Sequence, residues 1–147
     1  MDVLPTLVKI CKTKMPVKKI DGVDFTEVLF GNTKANPRDE FVYYYDRNNL
    51  KAIRKGDWKL VFPCISQTYN SPATIGKDRH PGKYGTDSVR LGLYNLSTDP
   101  GEDRDVKDQY PEIVKQLNGI ADKYRATIGD GLTNSVGSEV RPAGKIE

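Results

Sequence analysis

The stretch Glu40-Phe41-Val42-Tyr43-Tyr44-Tyr45-Asp46-Arg47-Asn48-Asn49-Leu50-Lys51-Ala52-Ile53-Arg54-Lys55-Gly56-Asp57-Trp58-Lys59-Leu60-Val61-Phe62 decides the fold. Phe41 to Tyr45 is a β-branched and aromatic run, and Asp46-Arg47-Asn48-Asn49 after it is turn chemistry. Leu50 to Arg54 predicts a second strand, Lys55-Gly56-Asp57 a tight turn, and Trp58 to Phe62 a third strand. In the third strand Trp58, Leu60 and Phe62 alternate with Lys59 and Val61, so one face is apolar. Three strands joined by short turns make an antiparallel meander. The same alternation sends Tyr43 and Tyr45 to one face and Tyr44 to the other.

Working outward, Leu91 to Leu96 predicts a fourth strand. Asp99-Pro100-Gly101-Glu102 suits a type II turn, with Pro at the second position and Gly at the third. Tyr110-Pro111-Glu112 opens the main helix, Pro111 fitting its first position. Ile113, Leu117, Ile120, Tyr124 and Ile128 recur at helical spacing and are expected to cover the sheet, and Gly129 is a natural stop. The fold class that follows is α+β: a four-stranded antiparallel sheet with one long C-terminal helix packed on a face.

Between the third and fourth strands, Pro63 to Arg90 breaks the pattern with Pro72, Gly76, Pro81, Gly82 and Gly85. A connection of more than about 20 residues inside a small domain is functional or disordered. Before the sheet, residues 2–11 predict a short helix capped by Asp2, with Leu4, Leu7, Val8 and Cys11 on one face. That stripe has no partner within its own segment. Residues 12–40 read as a connector with one helical turn, carrying Phe25, Val28, Leu29 and Phe30 and capped by Asp24 or Thr26. Residues 1–40, 41–129 and a Gly-, Ser- and Pro-containing tail at 130–147 are the expected divisions.

The 147 residues suit one domain of ordinary size, and thirteen aromatics (8 Tyr, 4 Phe, 1 Trp) suffice for a modest core. The net charge of +3, from 23 basic and 20 acidic residues, is too even for a nucleic-acid partner, and no basic run concentrates it. No stretch approaches the roughly 18 apolar residues that cross a bilayer, so no membrane partner is expected. Met1-Asp2 and Pro5 do not resemble the basic and apolar regions of a leader peptide.

Few residues offer chemistry. His80 is the only histidine, which excludes a two-histidine metal site, and no Gly-x-Ser-x-Gly elbow is present. The acidic group Asp99, Glu102, Asp103, Asp105 and Asp108 lacks the order of an EF-hand and is interrupted by Arg104 and Lys107, so it reads as turn and helix-start charge. Gly76-Lys77 and Gly82-Lys83 lack the Ser or Thr of a phosphate loop. Cys11 and Cys64 match no metal spacing and read as small half-buried thiols, with a disulfide between them left open. Asn95-Leu96-Ser97 fits a glycosylation sequon, a pattern too short to decide anything.

Several blocks, in order, resemble sulfatases of the arylsulfatase type. Asp2-Val3-Leu4-Pro5-Thr6-Leu7 is similar to the helix closing that family's catalytic domain, and Ile20-Asp21-Gly22-Val23-Asp24 to the crossing segment after it. Phe41 to Tyr45, Leu50 to Leu60, Leu93 to Glu102 and the helix after Tyr110-Pro111-Glu112 resemble the C-terminal subdomain, and Val140-Arg141-Pro142-Ala143-Gly144 the family tail. Only about 63–90 lies outside the resemblance.

The resemblance implies the C-terminal part of an enzyme that hydrolyses sulfate esters, inert by itself, with the catalytic domain as its partner in cis. In that family a formylglycine made within Cys/Ser-x-Pro-x-Arg attacks the ester with help from calcium. Both cofactors are expected in the full-length parent and not in this chain. Cys11 is followed by Lys-Thr-Lys and Cys64 by Ile-Ser-Gln, so neither is the modified residue, and no catalytic or metal position carries over. The insertion at 63–90 is the candidate to line the substrate pocket, where Arg79, His80, Lys83 and Tyr84 would meet an anionic or sugar substrate such as a sulfated glycan. A stand-alone carbohydrate- or protein-binding module is the alternative, and a severed piece would self-associate through Leu4, Leu7 and Val8. The parent's compartment stays open between periplasm, lysosome and secretion.

Overall fold

A computed structural model describes residues 1–68, 74, 76–80 and 82–140. The chain divides into two compact units, Met1–Asp39 and Glu40 onward.

The first unit holds helices α1 (Val3–Ile10) and α2 (Thr26–Leu29). Asp2 stands at the N-cap of α1 but does not cap it. Its carboxylate instead accepts from the Val23 backbone N–H at 2.8 Å and from Arg38 Nη2 at 2.5 Å, which ties the connector back to the helix start. Thr6 Oγ1 accepts from the Phe25 N–H at 3.0 Å, a second tie between helix and connector. Asp24 takes both the backbone N–H and the hydroxyl of Thr26, opening α2. The face α1 buries is Pro5, Thr6 and Val8. Leu4 and Leu7 are 48% and 52% exposed, whereas Val8 is turned inward, so the predicted stripe is split.

In the second unit, β1 (Glu40–Tyr45), β2 (Asn49–Lys55), β3 (Trp58–Val61) and β6 (Gly92–Asn95) form an antiparallel sheet in the order β1-β2-β3-β6. Asp46 and Arg47 both take positive φ (51° and 74°), the twist that suits a β1–β2 hairpin. Gly56 (φ 55°) opens the two-residue β2–β3 turn. Register aligns Val42, Ile53, Leu60 and Leu93 in one row across all four strands. On that face Leu50, Ile53, Leu60, Phe62 and Leu93 meet Leu117, Ile120 and Ala121 of α3 (Pro111–Thr127), making the core. Consecutive Tyr43 and Tyr44 pair with Ala52 and Leu50, so Lys51 is the extra residue of a bulge in β2, which increases local twist.

Four local readings change. The Asp99 turn is not type II: Gly101 does not take positive φ, and Glu102 does (59°). The reason is Asp99, whose two carboxylate oxygens accept the N–H groups of Asp103 and Arg104 at 3.1 and 2.9 Å and wrap the chain around themselves. The 63–90 insertion is partly regular. β4 (Cys64–Thr68) and β5 (Gly85–Val89) pair as a two-stranded antiparallel ribbon. Their sequences lack an apolar face, and Ile65 is 62% exposed, so the backbone ladder holds them without a hydrophobic signal. Finally, β7 (Gly129–Asp130) and β8 (Ser135–Val136) fold back as a small hairpin after α3, so the start of the expected tail is structured. Arg141–Glu147, including most of the family-like tail block, lie outside the described residues. Ile128 caps α3 and is partly exposed instead of covering the sheet, because Gly129 (φ 93°) reverses the chain there.

Candidate functional site

Arg79, His80, Lys83 and Tyr84 all fall between β4 and β5. The described part of that connection begins at Thr74 and resumes at Gly76. Lys77 to His80 is a tight turn closed by the His80 N–H donating to the Lys77 carbonyl at 2.9 Å. Asp78 and Arg79 sit at its corner with φ of 53° and 65°. The turn therefore presents Lys77, Arg79 and His80 together, all exposed. The Lys83 N–H donates to Thr74 Oγ1 at 2.7 Å, which ties the far side of the loop to its near side. Tyr84 leads directly into β5. The arrangement is a basic loop tip on a β-ribbon stalk. It offers cationic donors to an anion.

The ribbon is anchored to the sheet. Lys51 Nζ donates to the Ile65 carbonyl at 3.0 Å and lies 4.8 Å from the Tyr45 ring centroid. On the same outer face Lys59 Nζ stands 5.0 Å from the Tyr43 ring and pairs with Glu102 at 2.5 Å. Tyr43 and Tyr45 thus carry lysines, and Tyr44 packs on the core side, donating to the Gly129 carbonyl at 2.8 Å. Burial pushes the Tyr44 phenol above its ordinary value, with the Asp130 charge adding to it. The three tyrosines divide as alternation demands.

The β7–β8 hairpin is locked by a buried ion pair that no periodicity signals. Asp130 is fully buried and accepts from the backbone N–H groups of Leu50 and Leu132 and from Arg125 Nε at 3.0 Å. Arg125 also pairs with Asp122 at 2.8 Å and stacks 4.6 Å over the Phe62 ring. Asn95 Oδ1 accepts from the Ser97 N–H and hydroxyl, so the sequon's amide oxygen is held in a turn. Both cysteines are free thiols.

The groups that sulfatase chemistry requires do not fit the residues present. Among the described residues no three His, Cys, Asp or Glu side chains converge as metal ligands. Neither Cys11 nor Cys64 lies in a Cys-x-Pro-x-Arg sequence. No step is assigned to a metal or a formylglycine in this chain. Among the described residues, no helix is long and apolar enough to cross a membrane.

The described residues thus form a four-stranded antiparallel sheet backed by one long helix, with a basic loop between β4 and β5. Residues 37–144 match the family described as the C-terminal region of aryl-sulfatase, and the chain belongs to that family. It is 29% identical over 128 residues to an N-acetylgalactosamine-6-O-sulfatase of Bacteroides thetaiotaomicron, covering 85% of this chain and 23% of that protein. It is 29% identical over 141 residues to arylsulfatase A of Bos taurus, covering 89% of this chain and 28% of that one. Among solved structures, it resembles one from work on the metabolism of multiple glycosaminoglycans by Bacteroides thetaiotaomicron. That likeness has a TM-score of 0.59 at 27% identity, over 84% of this chain and 24% of the other. A sulfatase from Pseudoalteromonas shares the fold with a TM-score of 0.64 at 18% identity, over 85% of this chain and 25% of the other. The chain spans about a quarter of the length of the curated relatives it matches.

Proposed function

We propose that this chain is the C-terminal part of a sulfatase, inert by itself, completing an enzyme whose sulfate-ester chemistry resides in a preceding domain. The observation that supports this is the family match over residues 37–144 in a chain spanning only a quarter of its full-length relatives. Residues 1–40 are then the end of the catalytic domain. Calcium and formylglycine belong to that domain in the full-length parent. An apolar groove of about 360 Å³, lined by Leu7, Ile10, Phe25, Val28 and Leu29 among others, is the surface the catalytic domain would cover. With it uncovered, copies of the chain associate through Leu4 and Leu7, without Val8.

The basic loop gives the subdomain its second task. Arg79, His80 and Lys83, with Tyr84 beside them, line the pocket and meet a sulfated glycan, the cations facing the sulfate. The exposed turn at Lys77–His80 supports this, because cationic donors on a rigid ribbon suit an anion better than a neutral partner. In the enzyme complete with its catalytic domain, replacing Arg79, His80 and Lys83 by Ala and Tyr84 by Phe is expected to lower kcat/KM for a sulfated glycan at least about ten-fold, or ~1.4 kcal/mol. An unchanged kcat/KM removes the loop from the pocket. Turnover of an aryl sulfate by the purified 147-residue chain would overturn the reading that it is inert.

A further inference from the structure

A second concave site lies within the sheet unit, away from the basic loop in sequence. The segment after β6 is strapped to that strand's free edge: the Leu93 N–H donates to Asp105 Oδ1 at 3.1 Å, and the Val106 N–H donates to the Leu93 carbonyl at 2.9 Å. The strap walls off a cavity of about 500 Å³ between β3 and the start of α3. That volume falls in the range of small-molecule sites. Its wall holds the pair Trp58 and Tyr110, with ring centroids 4.9 Å apart and planes inclined at 54°. Around the pair stand Asn95, Asp103, Arg104 and Gln109.

The polar groups of this cavity are largely uncommitted. Asp99, also on the wall, spends its oxygens on the backbone of Asp103 and Arg104, and Asn95 spends its carbonyl on Ser97. Among the described residues, the side chains of Gln109, Asp103 and Tyr110 and the indole N–H of Trp58 have no hydrogen-bond partner. Among the described residues no polar side-chain atom is buried without one either, so these groups face solvent. Tyr110 is 43% exposed. The cavity therefore offers an aromatic wall with both donors and acceptors beside it: indole N–H, amide, hydroxyl and carboxylate.

We infer that this cavity binds an uncharged sugar ring, a hexose or N-acetylhexosamine unit of a glycan. A sugar presents an apolar C–H face to a flat aromatic and hydroxyls that both donate and accept, which is the pattern of this wall. Asp99 and Asp103 against the single cation Arg104 leave the lining net negative, which turns away a phosphate or sulfate. The inference stands on this cavity alone and does not require the sulfatase reading.

Trp58 is the only tryptophan and lines this cavity, so its emission reports on it. The 147-residue chain is titrated with N-acetylgalactosamine, with its 6-O-sulfate, and with cellobiose. A saturable change in emission with an unsulfated sugar is expected, weakened at least ten-fold in Gln109→Ala, whose exposed side chain the fold does not use. The Asn95 and Gln109 side-chain amide signals in a 15N NMR spectrum should shift along the same curve. No saturable response to either unsulfated sugar would overturn the inference. So would an equal response in Gln109→Ala, or tighter binding of the sulfated sugar, which would make the cavity an anion site.

Discussion

Asp130 ties the last described hairpin to the sheet by accepting from the Leu50 N–H, and it also accepts from the Leu132 N–H within the hairpin and from Arg125 of α3. Truncating Asp130 leaves Arg125 only its exposed partner Asp122, and the backbone donors of Leu50 and Leu132 lose their acceptor. Asp130→Ala should cost about 3–5 kcal/mol in urea unfolding. A loss under about 1 kcal/mol would mean that Arg125 and the freed amides find water instead. Asp99 gives a pH signature. The backbone N–H groups of Arg104 and Asp103 hold its carboxyl below the ordinary aspartate value of 3.8. A carboxylate depressed on folding adds stability that is fully present above the unfolded value and is lost as pH falls through the folded one. Acidifying from about pH 5 should therefore destabilise the chain, and less steeply in Asp99→Asn. Parallel curves for the two proteins would show that the exposed carboxylate contributes nothing. Asp99 was legible as turn chemistry, whereas the role of Asp130 was not. Its acceptor work joins residues 80 positions apart, which no local pattern records.

Among the elements, the core strands and α3 follow from periodicity, since their apolar positions repeat at 2 and 3.6 residues and meet in one layer. Leu117 of α3 is 1% exposed against the sheet. Leu117→Ala is expected to cost about 2–5 kcal/mol, read as a lowered denaturation midpoint. An unmoved midpoint would place Leu117 outside the core. The stop after α3 is stricter. At Gly129, with φ 93°, a Cβ would come within 2.7 Å of the Ser135 carbonyl oxygen. Gly129→Ala should cost at least about 1 kcal/mol from the left-handed backbone alone, and more from that contact. Equal stability would mean that the β7–β8 hairpin shifts freely. The β4–β5 ribbon was invisible in sequence for a physical reason. Its strands bury little, so they carry no alternation, and only pairing across the connection defines them.

At the scale of the whole molecule, the exposed side chains of Val3, Leu4, Leu7 and Ile10 form an apolar face on one unit of a small protein. Such faces mark surfaces that are covered in the working assembly. Light scattering of the 147-residue chain should give an apparent mass that rises with concentration, and Leu7→Lys should flatten that rise. A mass that stays monomeric at all concentrations would remove self-association.

The sequence by itself determined the four-stranded antiparallel sheet, the helix that backs it and the division of the three tyrosines, because these depend on spacing along the chain. It also carried the family, through the blocks from Phe41 onward, which lie within the matched residues 37–144. Only the tertiary structure decided that Val8 turns inward while Leu4 and Leu7 stay out, and that Glu102 rather than Gly101 takes the left-handed turn. It alone brought Trp58 and Tyr110 together across 52 residues, and Asp130 under Leu50. These outcomes rest on contacts between segments far apart in the chain. Their energies come from desolvation and hydrogen-bond satisfaction at one place in space, and neither leaves a period in the sequence.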